Sequence, residues 1–356
     1  MVEGWVEHPG GRHHGAHGAA AAKSLGVAEG DLLDFSQNIN PLGIPDAAMA
    51  AAQRALRDEA GRYPDAGYQA LREALAAYLG VPPANVVPTN GGAEALFLAA
   101  RCARTLPRAL VLEPTFSEYA AAARAAGLEP VRRVARRRED EFRLDLTALE
   151  DLDGVGLVFL CNPNNPTGDA LESAQVLEIV DRVLEGGAVL VVDEAFADFA
   201  PGLGVGAEIR EGLYVARSFT KFFGIPGLRL GCLVCADPER VQRLQPSWPV
   251  NAVAAAAAVS AVGDKNFVTS SVAEVARLRE ELIESLETLP GITAFDSVAN
   301  FVLVRGPEGL VERLAGRKIL VRGCEPFPGL GPGYFRVAVR GSHENAQLLA
   351  GIREEL

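Results

Sequence analysis

Short apolar runs alternate with alanine-rich helical stretches through most of this 356-residue chain, and that alternation limits its fold more than any other feature. The runs that we expect to form strands are Ala109–Glu113, Gly156–Leu160, Ala188–Asp193, Leu213–Arg217 and Leu230–Cys235. Helical patterns such as Gly67–Leu79 and Thr115–Ala126 lie between them, each followed by the glycine that commonly ends a helix. Such alternation predicts an α/β fold, with a mainly parallel sheet covered by helices on both faces.

The pattern changes after Pro249. Two long helical stretches are followed by short strands and a last helix: Asn251–Val262, Asp264–Leu289, Phe301–Arg305, Ile319–Arg322, Tyr334–Val339 and a helix from about Ser342. We therefore divide the chain into an N-terminal arm (1–45) that packs with the small domain, a large domain (46–248) and a small α+β domain (249–356).

The charge of the chain argues against a nucleic acid as its natural partner. The formal net charge is −12, whereas binding of nucleic-acid phosphates needs clustered Lys and Arg. The one basic run, Arg132–Arg138, is followed at once by three acidic residues, which is typical of a solvated strand end.

Other features favour a cytoplasmic protein without a membrane or metal partner. No apolar stretch approaches the roughly 20 residues that span a bilayer, and the polar segment Met1–Gly18 does not resemble a signal peptide. The five cysteines do not suggest a disulfide framework. Cys232 and Cys235 form a C-x-x-C within a strand-like run, where residues three apart point to opposite faces. No second pair completes a zinc site.

The segment Arg217–Gly231 places one lysine between two expected strands. It reads R-S-F-T-K-F-F-G-I-P-G-L-R-L-G, with Ser218 three residues before Lys221 and Arg229 eight residues after it. A lysine among apolar neighbours and near another cation loses its proton more easily, and the neutral amine condenses with an aldehyde. The hydroxyl and the guanidinium would suit a phosphate. On this segment alone, a lysine in a surface loop explains the pattern equally well.

The same segment satisfies S-x-x-K, the nucleophile motif of the serine β-lactamases. That motif needs S-D-N and K-T-G partners, and neither tripeptide occurs in this chain. The acyl-transfer interpretation is therefore disfavoured.

Further positions could complete a cofactor site, although each also has a purely structural explanation. Asp193 ends an apolar strand, at the rim where open α/β sheets bind ligands, and could place an anion against a pyridine nitrogen. We expect the adjacent Glu194 to face solvent. Asn165, in the loop C-N-P-N-N-P-T-G, could donate its amide to a phenolate oxygen. Gly91 and Gly92 open a helix, where backbone N–H groups and the helix dipole favour a phosphate.

These positions follow one order along the chain: the two glycines, an aromatic residue after a strand (Phe116), Asn165, Asp193, Ser218, Lys221 and Arg229. This order resembles the class I/II aminotransferases, the fold-type I enzymes that depend on pyridoxal 5′-phosphate (PLP), over essentially the whole chain. The resemblance implies a mainly parallel seven-stranded sheet in a large domain, plus a small α+β domain. It also implies that Lys221 holds PLP as a Schiff base.

Several stretches are similar to one branch of that family, the L-threonine-O-3-phosphate decarboxylases of cobalamin biosynthesis. They are Leu33–Gly43, Arg62–Asp65, Phe219–Gly231, Trp248–Ala252, Ile319–Cys324, Pro328–Leu330 and Phe335–Arg340. Histidinol-phosphate aminotransferases more typically carry Tyr in place of Phe196 and Ser in place of Thr220. The resemblance therefore implies a carboxy-lyase that converts L-threonine O-3-phosphate to (R)-1-amino-2-propanol O-2-phosphate. The alternative is a histidinol-phosphate aminotransferase or a related class I/II aminotransferase, and a non-catalytic binding module of this fold is more distant.

The resemblance implies roles for further residues. Phe116 is expected to stack on the PLP ring, and Gly91 and Gly92 to donate backbone N–H groups to the PLP phosphate. Tyr63 is expected to reach the cofactor phosphate of the neighbouring subunit in a homodimer, and Arg336 to bind the substrate carboxylate. Three residues are placed to handle the other end of a phosphorylated amino-acid substrate: His8, Asn38 and Arg322. At His8 the chain departs from the family pattern, since the family's H-G-G-N is replaced here by H-P-G-G-R.

Overall fold

The computed structural model describes residues 18–103, 106–138 and 142–356. The helices of these ranges are α1 (Gly18–Leu25), α2 (Asp46–Asp58), α3 (Gln69–Leu79), α4 (Gly91–Arg101), α5 (Glu118–Ala125), α6 (Ser173–Glu185), α7 (Pro238–Leu244), α8 (Ala252–Gly263), α9 (Lys265–Glu287), α10 (Leu310–Gly316) and α11 (Ser342–Glu355). The strands are β1 (Leu33–Asp34), β2 (Val86–Thr89), β3 (Arg108–Glu113), β4 (Glu129–Val134), β5 (Arg136–Arg138), β6 (Phe142–Leu144), β7 (Val155–Cys161), β8 (Val189–Asp193), β9 (Leu213–Ser218), β10 (Gly231–Cys235), β11 (Thr293–Ala294), β12 (Phe301–Arg305), β13 (Ile319–Leu320), β14 (Arg322–Gly323) and β15 (Tyr334–Ala338).

A seven-stranded sheet forms the centre of the fold, in the order β2-β10-β9-β8-β7-β3-β4. β10 runs antiparallel to β2 and β9, and the remaining neighbours pair in parallel. β7, β8, β9 and β10 are buried along their whole length, as continuous apolar runs in a sheet covered on both faces should be. The predicted α/β fold with a mainly parallel sheet is confirmed.

Strand register brings several chain segments to one edge of this sheet. Asp193 at the end of β8 is level with Cys161 at the end of β7. Ser218 at the end of β9 pairs with Gly231 at the start of β10, and Gly231 pairs in turn with Thr89 at the end of β2. The loops that follow β2, β7, β8 and β9 therefore meet at a common rim, and β10 begins there.

Helices cover both faces of the sheet and produce two hydrophobic layers. Cys232 packs in one layer and Cys235 in the other, so the two thiols lie on opposite faces, as the strand pattern predicted. α4 packs against β9 and β10, and α6 against β8. No helix of the described ranges combines the length and the apolar character needed to cross a membrane.

A second, antiparallel sheet has the order β11-β12-β15-β14 and packs with α9, α10 and α11 around a separate core. β1 pairs in parallel with β13, which attaches the segment near residue 33 to this part of the chain. α8 packs on α2 and α3, although the division of the sequence at residue 248 puts it in the small domain. That division remains a prediction.

Candidate active site

A cavity of about 450 Å³ lies where the rim of the large sheet meets β14 and β15. Ten of the residues predicted for the site line it: Asn38, Gly92, Phe116, Asn165, Asp193, Ser218, Lys221, Arg229, Arg322 and Arg336. Gly91 adjoins it beside Arg229. Tyr63 does not line the cavity; its side chain is exposed and stacks on Trp248, with ring centroids 4.5 Å apart. His8 lies outside the described residues.

The amine of Lys221 is set among hydroxyl groups and an apolar ring. Its Nζ is 3.3 Å from Ser218 Oγ and 3.5 Å from Thr220 Oγ1, and it lies 5.4 Å from the centroid of the Phe196 ring. Burial lowers the pKa of Lys221, and Arg229 lowers it further by charge repulsion. Because the neutral amine is the nucleophile, this environment prepares Lys221 for reaction with an aldehyde.

Asp193 presents a buried carboxylate to the same cavity from the end of β8. Its Oδ2 accepts a hydrogen bond from the Tyr119 hydroxyl at 2.8 Å, and its Oδ1 accepts one from the Ala195 N–H at 3.0 Å. Burial raises the pKa of Asp193, while the Tyr119 hydrogen bond and the charge of Lys221 oppose that rise. A buried anion of this kind favours a cationic partner such as a protonated pyridine nitrogen.

A cradle for a phosphate forms where the first turn of α4 meets the end of β9. Gly91 has a φ of 78°, and a Cβ at this position would lie 2.6 Å from Arg229 Nη2. A Cβ at Gly92 would lie 3.0 Å from Ser218 Cβ. The two glycines thus let the helix N-terminus approach a guanidinium and a hydroxyl, and these groups together could hold an anion.

Phe116 and Asn165 complete the wall around the space between the cradle and Asp193. Phe116 is half-buried and meets the Tyr119 ring edge-on, with centroids 5.8 Å apart. Asn165 Oδ1 accepts a hydrogen bond from Arg336 Nη1. Within the described ranges the Asn165 amide nitrogen makes no hydrogen bond, so it is available to donate to a ligand oxygen.

Two buried arginines face the cavity from the second sheet. Arg322 on β14 is the direct cross-strand partner of Arg336 on β15. Arg336 donates to the Ser36 carbonyl at 2.9 Å, and its guanidinium lies 5.2 Å from the Phe301 ring centroid. Burial lowers the pKa of Arg336 to about 10. Like charges directly opposite each other are destabilising, so an anion bound between them would be favoured.

Buried polar atoms without partners also lie at this end of the cavity. Within the described ranges, neither Asn38 Oδ1 nor Arg336 Nε makes a hydrogen bond. Buried polar groups are rarely left in this state without a ligand or a water molecule to bind them. These atoms could therefore bind a polar ligand.

One prediction about this region is wrong. Glu194 does not face solvent: it is fully buried, and its Oε2 pairs with Arg217 Nη1 at 2.7 Å. Arg217 also pairs with Asp198 at 2.5 Å. The loop through Gly204 and Gly206 covers the Glu194 carboxylate, which is why the side chain next to Asp193 is enclosed as well.

Other residues at the site were not anticipated as ligand contacts. Ser36, Gln37, Glu118, Thr220 and Phe327 line the cavity, and Tyr119 lies behind it. Five of these residues lie within three positions of a predicted site residue: Ser36 and Gln37 precede Asn38, Glu118 and Tyr119 follow Phe116, and Thr220 precedes Lys221. Phe327 is brought in by the fold.

The described geometry could hold a phosphorylated aldehyde. It combines a nucleophilic amine, a buried anion, an aromatic wall, an amide donor and a phosphate cradle in one cavity. The residues present therefore fit PLP, whose aldehyde, pyridine nitrogen, ring, phenolate and phosphate match these groups in turn.

Comparison with known proteins agrees with this class of site. Residues 30–352 match the family described as aminotransferase class I and II. The chain is 38% identical to threonine-phosphate decarboxylase of Salmonella typhimurium, over 96% of each protein. It is 30% identical to histidinol-phosphate aminotransferase of Methanothermobacter thermautotrophicus, over 94% of this chain and 91% of that one.

A solved structure extends the likeness to the fold. Histidinol-phosphate aminotransferase from Sinorhizobium meliloti, in complex with pyridoxal-5′-phosphate, superposes with a TM-score of 0.85 at 22% identity, covering 95% of this chain and 94% of that one. The chain belongs to the class I and II aminotransferase family and has the fold-type I architecture. Its cofactor is PLP.

Proposed function

We propose that this chain is a PLP-dependent decarboxylase that converts L-threonine O-3-phosphate to (R)-1-amino-2-propanol O-2-phosphate and carbon dioxide. The observation that carries the proposal is the cross-strand pair of buried arginines, Arg322 and Arg336. A small substrate with a carboxylate at one end and a phosphate at the other supplies one anionic group for each of the two guanidinium groups. The 38% identity to a threonine-phosphate decarboxylase supports the same reaction.

The cofactor-binding residues are proposed as follows. Lys221 holds the cofactor aldehyde and Asp193 the pyridine nitrogen, while Phe116 packs on the ring and Asn165 donates to the phenolate oxygen. The phosphate lies among Gly91, Gly92, Ser218 and Arg229. When bound, PLP supplies an electron sink for whichever substrate bond is held perpendicular to its ring.

The chain selects that bond by fixing the two ends of the substrate. Arg336 is held from two sides, by Asn165 Oδ1 and the Ser36 carbonyl, so its guanidinium has a defined orientation for a carboxylate. Arg322 and Asn38 hold the phosphate end. Held this way, the carboxylate would leave as carbon dioxide, and Lys221 would supply the proton that replaces it at Cα.

Lys221 is the proposed proton carrier. It contributes the only lysine amine to the cavity wall in the described parts of the chain. Its lowered pKa makes the neutral amine, the form that can accept a proton, easier to reach. Phe116, Phe196 and Phe327 give the cavity apolar walls, which limit the access of water to the reacting carbon.

A histidinol-phosphate aminotransferase is the second candidate. The 30% identity to such an enzyme, over 94% of this chain, favours it. The same lysine can instead remove the Cα proton if that bond is the one held perpendicular to the ring. The two reactions therefore differ in substrate orientation rather than in the residues present.

A homodimer is part of the proposal. The Tyr63 side chain is 79% exposed and stacks on Trp248, which is also exposed. An exposed aromatic pair is typical of a surface that a partner covers. We place Tyr63 at the cofactor phosphate of the neighbouring subunit.

The deciding experiment measures carbon dioxide released from O-phospho-L-threonine by the PLP-loaded protein without any keto acid. We expect steady release and one equivalent of the phosphorylated amino alcohol. Arg336→Lys should lower the rate, whereas Arg305→Lys, at an exposed position on β12, should not. Turnover that requires 2-oxoglutarate together with histidinol phosphate would establish the second candidate instead.

A further inference from the structure

Tyr119 is a fully buried residue whose hydroxyl is directed at the proposed cofactor anion. The hydroxyl donates to Asp193 Oδ2 at 2.8 Å, across 74 positions of sequence. The Ala195 N–H donates to Oδ1, so each carboxylate oxygen has its own fixed donor. The Tyr119 ring stacks on Phe159, with centroids 5.0 Å apart and planes 12° apart, which fixes the direction of the hydroxyl.

The hydrogen bond opposes the effect of burial on Asp193. Burial raises the pKa of Asp193, and the Tyr119 hydrogen bond is the largest influence that lowers it. A carboxyl that kept its own proton would donate to a neutral pyridine nitrogen and would leave the ring a weaker electron sink. Burial also raises the pKa of Tyr119, so the phenol keeps its proton and remains a donor.

We propose that Tyr119 is a positioning residue that keeps Asp193 ionised and aligned, so that the proton between them stays on the pyridine nitrogen of PLP. The inference rests on the proposed function through the role of Asp193. Tyr119 itself acts through the carboxylate, because its hydroxyl is bonded to Asp193 and its ring lies in the core beneath the cavity.

The test loads the protein with PLP labelled with ¹⁵N in the ring and records the ¹⁵N chemical shift, which reports whether that nitrogen is protonated. We compare the wild type with Tyr119→Phe, which removes only the hydroxyl. Tyr214→Phe is the matched control, because Tyr214 is a buried tyrosine of the same core cluster whose hydroxyl neighbours Cys102. A hydrogen bond to a charged group is strong enough to shift the proton equilibrium between the nitrogen and Asp193 about 10- to 100-fold.

We expect the protonated resonance in the wild type and in Tyr214→Phe, and a resonance displaced towards the unprotonated value in Tyr119→Phe. A protonated nitrogen that persists in Tyr119→Phe overturns the inference and leaves the proposed function intact. An unprotonated nitrogen in the wild type instead overturns the assignment of Asp193, on which the proposed function depends.

A second variant keeps the inference testable if Tyr119→Phe does not fold. Phe159→Leu retains the hydroxyl and removes the ring stacked on Tyr119, so the hydrogen bond loses its fixed direction. The resonance should then move in the same direction by a smaller amount. A folded Phe159→Leu protein with the wild-type resonance would contradict the proposed positioning.

Discussion

Gly91→Ala perturbs the proposed phosphate cradle in two separable ways. The residue has a φ of 78°, and an L side chain in the left-handed region costs about 1–2 kcal/mol of folding free energy. The added Cβ would also lie 2.6 Å from Arg229 Nη2. Since that atom is the end of a flexible side chain, the guanidinium moves away rather than the helix.

Displacement of Arg229 removes a charge-assisted hydrogen bond to the PLP phosphate. Such a bond contributes about 1.5–3 kcal/mol, which corresponds to a loss of PLP affinity of about 10- to 100-fold. The assay is a titration of the apoprotein with PLP followed by its visible absorption, together with urea unfolding of the apoprotein. The PLP affinity from the titration measures the contribution of Arg229 to phosphate binding. The free energy of unfolding measures the backbone strain at residue 91.

Gly227→Ala is the matched control. Gly227 lies in the same loop as Arg229, and a Cβ there would meet no heavy atom within 4 Å. The control should bind PLP as the wild type does. If Gly91→Ala loses stability but binds PLP with wild-type affinity, then Arg229 does not hold the phosphate and the reasoning about the cradle is refuted.

Three other perturbations test separate parts of the account. Arg336→Lys should lower kcat/KM about 10- to 100-fold, because an ammonium cannot make the paired hydrogen bonds of a guanidinium; unchanged kinetics would exclude a carboxylate at this residue. Glu194→Ala should destabilise the fold by about 1.5–3 kcal/mol in urea unfolding, because Arg217 loses one charged hydrogen-bond partner and keeps Asp198, whereas Glu185→Ala on the exposed face of α6 should have little effect. PLP uptake by the apoprotein should slow as the pH falls, because only neutral Lys221 reacts. Since burial lowers the pKa of Lys221, the midpoint should lie below the value of about 10.4 for a free lysine side chain, and a midpoint at that value would contradict the desolvated site.

Strand positions were predictable because burial on both faces of a parallel sheet leaves a continuous apolar run. β8 and β9 begin and end within one residue of the predicted Ala188–Asp193 and Leu213–Arg217. Helix starts were harder to place: α5 begins at Glu118 rather than Thr115, since its alanine-rich pattern has no sharp beginning. The antiparallel direction of β10 has no local signal, because a buried strand has the same composition in either direction.

Ten of the residues predicted for the site line one cavity, and they could be named from the sequence because their order along the chain resembles that of a known family. Contacts between side chains far apart in the chain could not be predicted from the sequence. The Tyr119–Asp193 hydrogen bond spans two strand–helix units, and the burial of Glu194 depends on the loop through Gly204. The pairing of Arg322 with Arg336 depends in the same way on the register of β14 and β15.

The most direct test of the account is to identify the amine that holds the cofactor. Borohydride reduction of the PLP-loaded protein fixes the cofactor on that amine, and peptide mass spectrometry then locates it. The sequence contains four lysines, at positions 23, 221, 265 and 318. The account predicts modification of Lys221 alone, and its loss in Lys221→Ala. A cofactor found on another lysine, or retained after that substitution, would contradict it.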